Sequence, residues 1–219
     1  AYSYQDKDNT DSQLFLARGT NKDNQEWEKA DPIELIDKLA NKYTESDQRD
    51  QYRRCIRYLK RWKNIKFSSS GNAEPPSIGI TLLAYQKFEP QKYDWVEMKY
   101  KYDDLEALMV FVEKIKNSFN PVGFNKQNEC LYRLESYLPV EPFTDVFKKM
   151  TDNQMTDFRD EIVKLYDSLK EVKEESDIVE QCEMLNKIFG DDFPIPEKEK
   201  VSKAQRNYIP PKSEAGVEA

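Results

Sequence analysis

The sequence contains no histidine, and its three cysteines, Cys55, Cys130 and Cys182, lie far apart along the chain. The lack of histidine excludes Ser-His-Asp and Cys-His catalysis within these 219 residues and argues against a zinc site. An odd, scattered set of cysteines predicts reduced, buried thiols rather than a disulfide framework. Any chemistry must therefore use carboxylates, lysine, arginine, hydroxyl groups or a metal held by oxygen ligands.

Long apolar runs are also lacking. No stretch approaches the roughly 20 residues that a membrane-spanning helix needs, and the first residues are too polar for a signal peptide. The mean hydropathy is −0.90, yet 38% of the residues are hydrophobic, which is enough to fill a core. These features predict a cytoplasmic protein without a membrane partner.

Positive charge is concentrated in one segment of an acidic chain. Residues 49–66 contain eight lysines and arginines and a single acid, Asp50, although the whole chain has a net charge of −7. Such a segment indicates either a local anion site or a solvated helix face. Binding to duplex nucleic acid fits poorly, because it usually needs a broader basic surface.

Apolar residues recur mostly at helical spacing, which predicts a mostly α fold. We expect six helices, at 33–43, 47–66, 77–88, 102–119, 154–173 and 177–189. Asp31-Pro32 is typical of a helix start, Ser77 is expected to cap the third helix, and Gly190 should end the last one.

The first 18 residues predict a β-hairpin, with AYSY and QLFLAR as its strands. Two strands are marginally stable alone in water. They therefore either lie against the helices or are the last strands of a larger sheet.

The basic segment has two stripes when it is placed on a helix. The first is an apolar core stripe of Tyr52, Cys55, Ile56, Leu59 and Trp62. Beside it lies a polar stripe of Arg53, Arg57, Lys60 and Asn64. Three cations in one line repel each other, and a polyphosphate between them would relieve that repulsion. Pro75-Pro76-Ser77, at the start of the next helix, is a second feature that favours anions.

RRCIRYLKRWKN followed by PPSIGITLLAY resembles a segment of the bacterial CD-NTases and oligoadenylate synthetases, written loosely as (I/L)R-x-(L/V)-K-x-W…P-P-(S/Q). The resemblance implies that Lys60, helped by Arg57, holds the triphosphate of a donor nucleotide, and that Ser77 contacts the same nucleotide. Related enzymes often carry an aromatic residue after the Ser or Gln to stack on a base, and here that position is Ile78.

The resemblance extends over most of the chain, through LFLARG…WEKADP, LPVEPFTDVFKKMTDNQMTDF and KIFGDDFPIP. It implies three parts: residues 1–30 as the last strands of a nucleotidyltransferase core, 31–193 as a helical nucleotide-binding lobe, and 194–219 as a flexible tail. The carboxylates that hold Mg²⁺ in this family would lie upstream of residue 1. The chain alone should then be inactive, with neither catalytic nor metal-binding residues of its own.

We therefore expect this chain to be the C-terminal part of a nucleotidyltransferase that joins NTPs into a cyclic oligonucleotide in anti-phage defence, with this lobe holding the donor triphosphate. The alternative is a non-catalytic helical module whose basic stripe docks an acidic partner. By resemblance, ubiquitin-like conjugation enzymes are a further expected partner, acting through the small terminal residue Ala219.

Overall fold

A computed structural model describes residues 14–18, 26–67, 74–90 and 92–197. The helices are α1 (Pro32–Ala40), α2 (Ser46–Lys66), α3 (Ser77–Lys87), α4 (Asp104–Lys116), α5 (Asp152–Glu174) and α6 (Ile178–Phe189). The strands form three antiparallel pairs: β1 (Leu14–Arg18) with β2 (Glu26–Ala30), β3 (Lys92–Asp94) with β4 (Lys99–Lys101), and β5 (Asn120–Phe124) with β6 (Cys130–Arg133).

The prediction of a mostly α fold is confirmed, since each expected helix forms within three residues of its predicted bounds. Asp31 caps α1 by accepting a hydrogen bond from the Glu34 amide at 2.8 Å, and Pro32 follows at the first helical position. Gly190 ends α6 with a φ of +84°, a backbone conformation that favours glycine.

The second strand of the predicted N-terminal hairpin forms, but it pairs with a later segment of the chain than expected. β1 pairs with β2, from Leu14 opposite Ala30 to Arg18 opposite Glu26. The expected first strand, residues 1–4, lies outside the described residues. Strand β2 was not predicted, because the charged neighbours of Trp27 hide the alternation that marks a strand. The hairpin of β5 and β6 also escaped prediction, because Pro121 and Gly123 are unfavourable in strands and a bulge accommodates them here.

Helix α2 is at the centre of the helical core. Its predicted apolar stripe is buried, with Cys55 and Leu59 fully enclosed and Trp62 1% exposed. α2 packs against α3, α4 and α6, while α5 packs against α4, α6 and β6. Cys55 is buried as expected, whereas Cys130 and Cys182 are partly exposed.

Lys42 holds the C-terminal end of α3. Its ammonium donates hydrogen bonds to the carbonyls of Ala84, Tyr85 and Phe88 and lies over the ring of Tyr43 at 5.0 Å. A cation suits the C-terminal end of a helix dipole. Burial lowers the pKa of Lys42 to about 8, and the nearby charge of Lys114 acts in the same direction.

Within the described ranges, no helix is long and apolar enough to cross a membrane. The division at residues 30 and 193 stays a prediction. Residues 198–219, and with them the expected conjugation site Ala219, lie outside the described part of the chain.

Gly79 on α3 generates a prediction about packing. A Cβ atom there would lie 2.5 Å from the ring of Phe147, a fully buried side chain. We expect Gly79→Ala to destabilise the protein by about 1–2 kcal/mol in chemical denaturation, because overpacking outweighs the better helix propensity of alanine. Thr81→Ala on the same helix should be close to neutral. Unchanged stability of Gly79→Ala would contradict this packing.

Candidate functional site

The basic residues of α2 fall into two groups, those paired with protein acceptors and those that are not. Arg54 contacts both carboxylate oxygens of Asp104, at 2.6 and 2.9 Å, and so joins α2 to the first turn of α4. Arg61 donates to the carbonyl of Phe189 at 3.0 Å and pairs with Asp192 at 2.7 Å, which joins α2 to the end of α6. These two arginines are structural cross-links.

Arg57 and Lys60 belong to the second group. Arg57 is exposed and Lys60 is half-buried, and in the part of the chain that the structure describes no carboxylate pairs with either. The pKa of Lys60 is lowered from its usual value, first by burial and then by the charge of Lys63. The Lys60 ammonium is thus a cation whose charge the described protein does not compensate.

Lys63 is the residue that the structure brings to Ser77. The Lys63 side chain is buried at 3% exposure; its ammonium pairs with the Glu74 carboxylate and lies 3.1 Å from the Ser77 hydroxyl oxygen. Sequence reasoning missed Lys63 and Glu74. A usable signal existed, because Lys63 follows Ile56 and Leu59 in the register of the core stripe, where a lysine is out of place.

Ser77 does not cap α3, contrary to the prediction. Pro76 occupies the N-cap position, no side chain caps the helix, and Ser77 is the exposed first helical residue. The extended backbone ends at Pro76, so the helix begins at Ser77, one residue earlier than a serine cap at that position requires. The Ser77 hydroxyl is consequently not used for capping, while the amides of Gly79 and Ile80 donate to the Pro76 carbonyl at 2.8 and 3.4 Å.

The sequence-predicted residues therefore lie on two neighbouring elements, Arg57 and Lys60 on α2 and Ser77 at the start of α3. Lys63 links the two elements. Ile78 is 38% exposed beside Ser77. Whether Arg57, Lys60 and Ser77 hold a nucleotide is a prediction that the geometry alone does not test.

Binding of Mg²⁺, which the resemblance assigns to carboxylates upstream of residue 1, stays a prediction. No group of three or more carboxylate or thiol side chains lies together in the described ranges. The candidate residues Arg57, Lys60 and Ser77 offer two cations and a hydroxyl group rather than a set of metal ligands.

No protein family model matches the chain. A curated cyclic GMP–AMP synthase of Escherichia albertii is 27% identical over 126 residues, which make up 55% of this chain and 27% of that protein.

Solved structures of the Vibrio cholerae cyclic AMP–GMP synthase DncV share the fold. The form bound to 3′-deoxy GTP has a TM-score of 0.57 at 16% identity, covering 83% of this chain and 43% of that one. The complex with the linear intermediate pppA(3′,5′)pG has a TM-score of 0.56 at 15% identity, covering 83% and 41%. This chain therefore spans less than half the length of these proteins. The resemblance to CD-NTases is confirmed.

The two groups of arginines should differ in their effect on stability. We expect Arg54→Ala to lower the free energy of unfolding by about 1 kcal/mol, because it removes a two-point contact to Asp104 that is partly screened by solvent. Arg57→Ala should stay within about ±0.5 kcal/mol. Urea denaturation measures the free energy of unfolding of the two variants. Equal losses of stability would refute the distinction between a cross-linking Arg54 and an unpaired Arg57.

Proposed function

We propose that this chain, a relative of the DncV-type cyclic dinucleotide synthases, is the helical lobe of a nucleotidyltransferase and holds the triphosphate of the donor nucleotide. In this proposal Arg57, Lys60 and Ser77 contact the phosphates. The observation that carries it is the pair of cations, Arg57 and Lys60, left uncompensated on α2. Lys60 lies about one turn before Lys63, the lysine that reaches Ser77.

Three basic neighbours of Arg57 and Lys60 on α2 are compensated by acids. Arg54, Arg61 and Lys63 each have a carboxylate partner, so the fold can place acids beside α2 where it needs them. Beside Arg57 and Lys60 the described protein places none. Two like charges one turn apart on a helix repel each other, and a bound triphosphate would remove that repulsion.

The pKa of Lys60 supports the same conclusion. Burial, and then the charge of Lys63, lower this pKa, so the charged form is less favoured than it is in water. A phosphate oxygen within contact distance would favour the charged form and raise the pKa again. Binding of the anion and protonation of Lys60 should therefore be linked, with affinity falling as the pH rises through the lowered pKa.

The proposed role is binding and orientation. Fixing the triphosphate at two cations and at an uncapped helix start would hold the reacting phosphate in one position, which reduces the entropy lost on reaching the transition state. The carboxylates that would carry Mg²⁺, the joining of NTPs into a cyclic product and the role in phage defence belong, by proposal, to the complete enzyme.

The charge of Lys60 can be tested directly by titrating GTP, ATP and tripolyphosphate into the 219-residue chain by NMR. We expect Lys60→Ala to lose one charge-assisted contact, worth about 1.5–3 kcal/mol, and thus about ten- to a hundredfold in affinity. Lys170→Ala on α5 removes the same charge from a lysine that is 61% exposed, and should leave affinity unchanged.

Equal affinities of the Lys60→Ala and wild-type chains would refute the assignment. Affinity for acidic peptides together with none for the nucleotides would favour the alternative, a module that docks an acidic protein partner.

A second prediction concerns activity. Residues 1–219, incubated with ATP, GTP and Mg²⁺, should release no pyrophosphate, because the described residues build no metal site. A pyrophosphate-coupled assay measures this, with an active cyclic dinucleotide synthase as the positive control. Synthesis by this chain alone would show that the metal-binding residues are misplaced in the proposal.

A further inference from the structure

Lys63 is a buried charge whose position helix stability does not explain. An ammonium in the interior is costly unless a carboxylate compensates it, and Glu74 does so here. The N-terminal end of α3 carries the positive end of the helix dipole, so a cation beside it is unfavourable. Lys42, at the opposite end of the same helix, lies where the dipole favours a cation.

The hydrogen bond to Ser77 has a fixed direction. An ammonium has three donor hydrogens and no acceptor, so the Ser77 oxygen must accept from Lys63. The hydroxyl proton of Ser77 then points away from Lys63. A serine hydroxyl without such a partner can rotate its proton toward other acceptors.

We propose that Lys63 is a positioning residue that turns Ser77 into a hydrogen-bond donor toward the phosphates. Lys63 itself does not contact the nucleotide; it fixes the orientation of the hydroxyl, and Glu74 compensates the buried charge that this requires. The inference rests on the proposed function, because Ser77 must face the triphosphate for its orientation to matter.

A double-mutant cycle in GTP affinity tests this inference. We expect Ser77→Ala to weaken binding about tenfold and Lys63→Met to weaken it by a similar factor. The double variant should bind no more weakly than Ser77→Ala, because Lys63 acts through that hydroxyl. A merely structural lysine would instead give losses that multiply.

Lys63→Met leaves Glu74 without its partner and can impair folding. The pair Lys63→Met/Glu74→Gln removes both charges together, and thermal unfolding verifies that it folds. The pair variant should show the same dependence on Ser77, and Ser77→Thr, which retains a hydroxyl, should bind nearly as well as the wild type.

The outcomes separate the two proposals. If Lys60→Ala and Ser77→Ala both leave GTP affinity unchanged, the proposed function fails. If these two variants weaken binding while a folded Lys63 variant does not, or if its loss multiplies with that of Ser77→Ala, only the positioning role of Lys63 is overturned.

Discussion

Burial of one face of α2 is the constraint on which the rest of the structure depends. α2 packs against α3, α4 and α6 with Leu59 and Trp62 buried, and this burial fixes the rotation of α2 about its own axis. Once that rotation is set, the direction of every basic residue on the helix follows from its place in the 3.6-residue repeat. Positions 54 and 61 reach acids of α4 and of the segment after α6, and position 63 faces the start of α3.

The distribution of acids around α2 then distinguishes its cations by what they do. A cross-link such as Arg54 to Asp104 gains energy from two aligned hydrogen bonds and ties two helices together. A cation without such a partner contributes little to folding and retains its capacity for a ligand. The sequence shows only that eight basic residues lie in one segment. The structure shows which of them have acidic partners.

Local patterns predicted much of the fold. The periodicity of α2, the Asp31-Pro32 start of α1 and the glycine after α6 each carry their own signal within a few residues. The pairing of β1 with β2 and the hairpin with Pro121 and Gly123 were missed, because strand pairing depends on partners that are distant or irregular. Arg57, Lys60 and Ser77 were assigned to the candidate site by the resemblance to a known family. Lys63 and Glu74 were recognised only from their contacts in the three-dimensional structure.

The absence of a serine cap at Ser77 and the burial of Lys63 are linked by the hydrogen bond between the two residues. A serine in the N-cap position would direct its oxygen at the amides of its own helix and so satisfy them. Because Pro76 takes that position, the hydroxyl is released and the first turn has no side-chain cap. Lys63 uses the serine oxygen as an acceptor, and in our proposal this leaves the Ser77 O–H to donate to a bound phosphate. A residue that looks like a misplaced charge in the core register thus has a physical reason to be there.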